Sequence, residues 1–189
     1  AGRRSRSRVH RSEIERGGCR APMTTYPAYQ VTDELYLWWL GQPDRSTLVG
    51  TLRLLRATSG VSLQYAPEWL RGGFPLSEDL PLNGDEHFPT ERSTVVGAVD
   101  DARPDRWGER VIRLIDKPPR FSLLEYLFFA GDERFGALGV STSPDTYMPQ
   151  PCGPLPRLAD VQEIRELVRR VEANEPVPEA RRRLVAPGT

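Results

Sequence analysis

LYLWWLGQPDRSTLVGTLRLL, residues 35–55, decides the fold. Its two ends, LYLWWL (35–40) and LVGTLRLL (48–55), are short runs of aromatic, β-branched and aliphatic residues, the side chains that suit a pleated, half-buried surface. Between them GQPDRST supplies Gly, Pro, Asp and Ser, each of which favours a tight change of direction. The stretch predicts an antiparallel hairpin. Next along the chain, Ser59-Gly60 leads into VSLQY (61–65), whose apolar-polar alternation predicts a third, half-buried strand, and APEWL predicts a single helical turn. FPLSEDLPL (74–82) carries Pro75 and Pro81, which cannot donate to a ladder, so it reads as an edge segment or an extended crossing.

From Thr94 the period changes. TVVGAVDD and PDRWGERVIRLI place Trp107, Val111, Leu114 and Ile115 at helical spacing, with Pro104 suited to the first turn and Arg106, Glu109, Arg110 and Arg113 on the wet side. Lys117-Pro118-Pro119 ends this helix, and Ser122 with Glu125 matches a capping box, so a second helix is predicted over 122–130. Gly131 falls where a left-handed C′ residue belongs, and FGALGVS descends into a strand. The spacing of Gly131, Gly136 and Gly139 also raises the reading of a phosphate cradle. The order here is helix then strand, the reverse of the arrangement that aims backbone amides at a phosphate, and no Gly-Lys-Ser/Thr follows. A structural turn is expected, with Gly136 and Gly139 allowing close backbone approach.

Residues 142–157 contain five prolines and no apolar period, which marks a linker. After it Leu158, Val161, Ile164, Leu167, Val168 and Val171 repeat on one helical face, with Asp160 and Glu163 offering a cap. The chain closes on LVAPGT, aliphatic residues running into a Pro-Gly-Thr turn. The fold class expected is α+β, a small antiparallel sheet with packed helices. Its parts are a basic arm (1–33), the sheet domain (34–142), the proline-rich linker (143–157) and the start of a further lobe (158–189).

The 189 residues are 38% hydrophobic and 28% charged with 18 prolines, which fits a loop-rich globular protein. Formal net charge is zero, yet residues 1–20 hold seven arginines against two glutamates, a net +5. A nucleic-acid tether, a solvated tail, and an over-extended reading frame ahead of Met23 stand as alternatives for that arm; no direct nucleic-acid contact is expected. Arg3-Arg4 is not followed by the apolar stretch of a secretion signal, and no run is long enough to span a membrane, so a cytoplasmic protein is expected. Cys19, Cys152, His10 and His87 are too few and too scattered for a disulfide framework or a metal site. Asp100, Asp101 and Asp105 beside Arg103 and Arg106 read as an exposed charged loop rather than paired catalytic acids. Trp38, Trp39, Trp69 and Trp107 read as core rather than base-stacking platforms.

Five pieces in order resemble the N-terminal part of HipA-family toxins, the serine/threonine kinases of bacterial toxin–antitoxin systems. LYLWWLGQPDRSTLVGTLRL resembles the family's opening strands, SLQYAPEWL its tyrosine-proline-tryptophan-leucine signature, and FPLSEDLPL its proline-leucine-serine segment. DDARPDRWGERVIRL is similar to the family's helix start, and GDERFGALGVS to its glycine-aspartate turn. The resemblance is good over 35–141 and looser over 158–189.

It implies that the parent protein binds ATP with magnesium, phosphorylates a cytosolic protein, and is held by a DNA-binding, HipB-like antitoxin. Pro187, Gly188 and Thr189 then read as the approach to the family's nucleotide loop. No catalytic residue is assigned here, because Lys117 is the one lysine and Asn83 and Asn174 are the two asparagines. The chain is expected to be the N-terminal portion of such a kinase. The alternative is a stand-alone binding module acting as antitoxin or regulator of a separate kinase.

Overall fold

A computed structural model of the chain describes residues 29–42, 44–132, 136–149 and 161–177. The chain divides into two compact units, residues 1–30 and 31–189. Of the first, only Tyr29 and Gln30 are described, and the arginine-rich arm lies outside the described residues.

The hairpin forms where its composition predicts it. Strands β1 (Glu34–Trp39) and β2 (Thr47–Leu55) pair antiparallel, and β3 (Gly60–Tyr65) continues the meander. A two-residue strand, β4 (Glu86–His87), pairs with β3, and β5 (Leu138–Ser141) pairs with β1, giving one antiparallel sheet in the order β4-β3-β2-β1-β5. FPLSEDLPL is neither an edge strand nor an extended crossing: it runs through bends and turns, with Leu80 fully buried.

Among the described residues four α-helices accompany the sheet: α1 (Pro67–Gly72), α2 (Arg106–Val111), α3 (Leu123–Phe129) and α4 (Val161–Glu172). Residues Gly97–Ala102 form a 3-10 helix. Helix α3 lies against β2, β3 and β5. One row of the sheet, Leu35, Leu52 and Leu63, stands in register and is fully buried, and Leu124 and Leu127 of α3 are buried as completely. Each such buried side chain contributes about 1.5–3 kcal/mol.

Three further expectations need correction. Strand β3 is buried at every residue except Gln64, rather than half-buried, because Ser62 finds hydrogen-bond partners inside the sheet. Pro104 lies outside α2: Asp105 is the cap, its carboxylate accepting from the Gly108 amide at 2.8 Å, so the first turn begins at Arg106. The helix also does not end as an α-helix. Residues Ile112–Asp116 widen into a π turn, closed by the Lys117 amide on the Ile112 carbonyl at 3.0 Å, with Lys117 left-handed at φ +49°.

The capping box of α3 forms as expected between Ser122 and Glu125. Glu125 is fully buried, and burying a carboxylate requires a partner. Arg120 supplies it, donating from Nε to both Glu125 oxygens at 3.1 and 3.0 Å. The same guanidinium donates to Asp33 at 2.6 Å and to the Thr32 carbonyl at 2.5 Å. This fastens the start of α3 to the residues that lead into β1. Hydrogen bonds from Arg120 and Arg56 hold the Asp33 carboxyl below its ordinary range.

Candidate functional site

An antiparallel sheet covered by helices on one side can present polar residues on the other. In-register pairing alternates the faces, so the rows next to the leucine row carry Glu34, Arg53 and Ser62, then Tyr36, Thr51, Gln64 and Glu86. The side chains of Glu34, Tyr36, Arg53, Ser62, Gln64 and Glu86 join into one network over β1–β4. Arg53 donates to Glu34 at 3.0 Å and to Gln64 at 3.1 Å, and lies 3.6 Å from Glu86. Tyr36 donates to the other Glu34 oxygen at 3.0 Å, and Gln64 donates to the Gly84 carbonyl at 3.3 Å.

The charges are set by these contacts. Arg53 is pushed up by its hydrogen bond to Glu34, so it stays cationic. Burial, followed by the bond to Glu34, raises the Tyr36 phenol, so it stays protonated and donating. Ser62 donates to Glu86 at 2.6 Å, a pair that resembles a nucleophile beside a base. Ser62 is fully buried, however, which keeps a substrate from its hydroxyl. With side-chain exposures of 42% for Glu34, 39% for Arg53 and 28% for Glu86, the face presents two carboxylates and a guanidinium in fixed positions. Such an array can recognise charged and polar groups of a macromolecule.

At the β5 side the same face is covered by the chain itself. A register shift between Leu37 and Trp38 leaves Trp38 buried, with its ring 5.9 Å from that of Tyr147. The Tyr147 hydroxyl bonds the Asp132 carboxylate. A Cβ on Gly139 would lie 2.5 Å from that hydroxyl oxygen, so Gly139 does allow the close approach expected of it. Gly136 does not: nothing lies within 4 Å of a Cβ there, and its part is the left-handed turn at φ +95°. Gly131 takes its predicted left-handed conformation at φ +73°.

The motif residues prove to be joints of the fold. The Tyr65 hydroxyl donates to the Leu80 carbonyl at 2.9 Å and accepts from the Leu76 amide at 3.1 Å, stitching SLQYAPEWL to FPLSEDLPL. Trp69 donates to the Phe74 carbonyl at 3.0 Å and packs with Phe74 and Trp39 at ring distances of 5.0 and 6.3 Å. Trp38 and Trp69 are core, as expected, whereas Trp39 and Trp107 are half-buried. The expected charged loop is a structured element: Asp100 accepts from the Val95 amide at 3.0 Å, and Asp105 caps α2.

Pro187, Gly188 and Thr189 lie outside the described residues, as do His10, Cys19 and Cys152. Lys117 is exposed at the end of the π turn, and Asn83 accepts from the Asp85 amide at 3.0 Å in a local turn. Asn174 sits left-handed at φ +54° just beyond α4. These three residues belong to separate local structures and do not form a shared site. Among the described residues no group of three or more His, Cys, Asp or Glu gathers, and no helix is long and apolar enough to cross a membrane. The sheet-face network was missed in the sequence because its residues meet only through strand register.

Compared with known families, residues 44–141, more than half of the chain, match a family model described as HipA N-terminal domain. The matched residues run from the hairpin turn to the last residue of β5. A search of curated proteins finds no match.

Proposed function

The chain belongs to the HipA N-terminal domain family, and from that premise we propose that it is the N-terminal portion of a HipA-like toxin of a type II toxin–antitoxin system. The full-length form would be an ATP-dependent protein serine/threonine kinase of the cytoplasm. ATP and magnesium belong to that form. Within it, the domain described here is a binding and support element, and its polar sheet face meets the DNA-binding antitoxin. The observation that carries this reading is the family match over residues 44–141. The internally braced face of Glu34, Arg53, Gln64 and Glu86 supports the binding role, since fixed charges select partners more than they add raw affinity.

One observation favours the second reading, a stand-alone module that acts as antitoxin or regulator of a separate kinase. The family match stops at residue 141, the residue at which β5 completes the sheet.

The two are separated by capturing the native gene product from cells and measuring its intact mass and its phosphotransfer. A mass well above 21.3 kDa, with γ-phosphate of ATP moved to serine or threonine of a cytosolic protein, is expected. A product at or below that mass with no phosphotransfer would overturn the kinase reading and leave the binding module.

A further inference from the structure

Helix α2 and the π turn that follows it share an apolar cluster with α4. Ile112 is fully buried, while Val111 and Ile115 enter a distinct apolar cluster with Leu167 and Val171 of α4 and with Val177. Trp107, Leu114 and Val168 pack around its margin. Val111 with Ile115, and Leu167 with Val171, are each four residues apart, so two helical ridges meet. The opposite side of α4 is self-contained: Glu166 pairs with Arg169 at 3.0 Å and with Arg170 at 2.9 Å, and Arg169 pairs with Glu175 at 3.0 Å. Those ions stay in water and hold the helix, not its dock.

We infer that the apolar stripe of α2 and its π turn is a docking surface for an amphipathic helix, filled in cis by α4, and that α4 becomes helical only as it docks. Two features point this way. A helix of 12 residues is marginal alone in water, so its order must come from an apolar partner. The only deeply buried residues of α4, Leu167 and Val171, are the ones that meet α2. The occupant is fixed by this fit: residues Val161–Val177 of the same chain, tethered through the proline-rich stretch that begins at 142. The docking does not depend on the toxin reading.

The test uses the full chain with a protease site inserted between Pro149 and Leu158, followed by cleavage, gel filtration and amide hydrogen exchange. The C-terminal piece is expected to co-elute with the body, with amides 111–117 and 164–172 still protected. A labelled peptide of residues 158–177 should then exchange into the cleaved complex. Val171→Asp should release the piece on cleavage and deprotect both segments at least tenfold, with β1–β3 unchanged, and Val171→Ala should give an intermediate effect. Separation of the unsubstituted piece would overturn the proposal, as would protection of 164–172 that survives Val171→Asp. Loss of protection throughout β1–β3 would overturn it too, because the cluster would then be part of one indivisible core.

Discussion

At the scale of single residues, much of the architecture hangs on side chains that bond to distant backbone. Tyr65 is buried, and its hydroxyl both donates to and accepts from the FPLSEDLPL segment. Tyr65→Phe leaves the Leu80 carbonyl and the Leu76 amide without that partner, and should cost about 1–3 kcal/mol in urea unfolding with an unchanged m-value. Acid sensitivity follows from the carboxylates. Glu166 is held down to about 2 from 4.5 by hydrogen bonds from Arg169 and Arg170, and Asp33 is lowered by Arg120 and Arg56. Both folded values lie below the unfolded ones, so the stabilisation is present in full above the unfolded values and is lost as pH falls through the folded ones. Melting temperature should therefore fall between pH 4.5 and about 2, and Glu166→Gln should remove the α4 part of that fall, read by hydrogen exchange in α4. Tyr65 was legible as part of a signature, because Pro67, Trp69 and Leu70 follow it closely along the chain. Arg120 was not, since nothing local shows that a buried glutamate needs it.

At the scale of elements, legibility followed the range of the interaction that makes each one. The hairpin, the capping box of α3 and the left-handed Gly131 depend on near neighbours, and all three were readable. The π turn is closed by the 3.0 Å bond from the Lys117 amide to the Ile112 carbonyl, and β4 is a two-residue pairing that only the sheet register creates, so neither leaves a period in the sequence. Close strand contact makes its own prediction. A Cβ on Gly50 would sit 2.2 Å from the Gln64 carbonyl oxygen, a backbone atom with no room to yield. Gly50→Ala should destabilise the chain by roughly 1–3 kcal/mol or more, seen as a lower urea midpoint and faster exchange in β2 and β3. Leu167→Ala should lose roughly 2–5 kcal/mol of local α4 stability by hydrogen exchange, while the urea midpoint of the sheet barely moves.

At the scale of the whole molecule, the sheet separates two tasks: one face builds the core under α3, and the other carries braced charges. Glu34→Gln should change stability by no more than about 1 kcal/mol, since Glu34 is a half-exposed partner, and, under the proposed reading in which this face meets an antitoxin, should weaken co-purification of that antitoxin with the native protein. Unchanged co-purification would overturn the proposed role of this face. The α+β class was legible because strand-like runs precede helical periods, whereas the charged face was not, because it is assembled from four strands. The strand order has a further consequence during synthesis. β1 lies between β2 and β5, but the ribosome delivers β5 only after every residue from Leu40 to Ala137. Until then one border of Leu35–Trp39 has no ladder, and a nascent chain carries an apolar strand open to neighbouring polypeptides. Expression yield should therefore depend on how quickly translation passes from β1 to β5, and on chaperones that shield β1 in the interval.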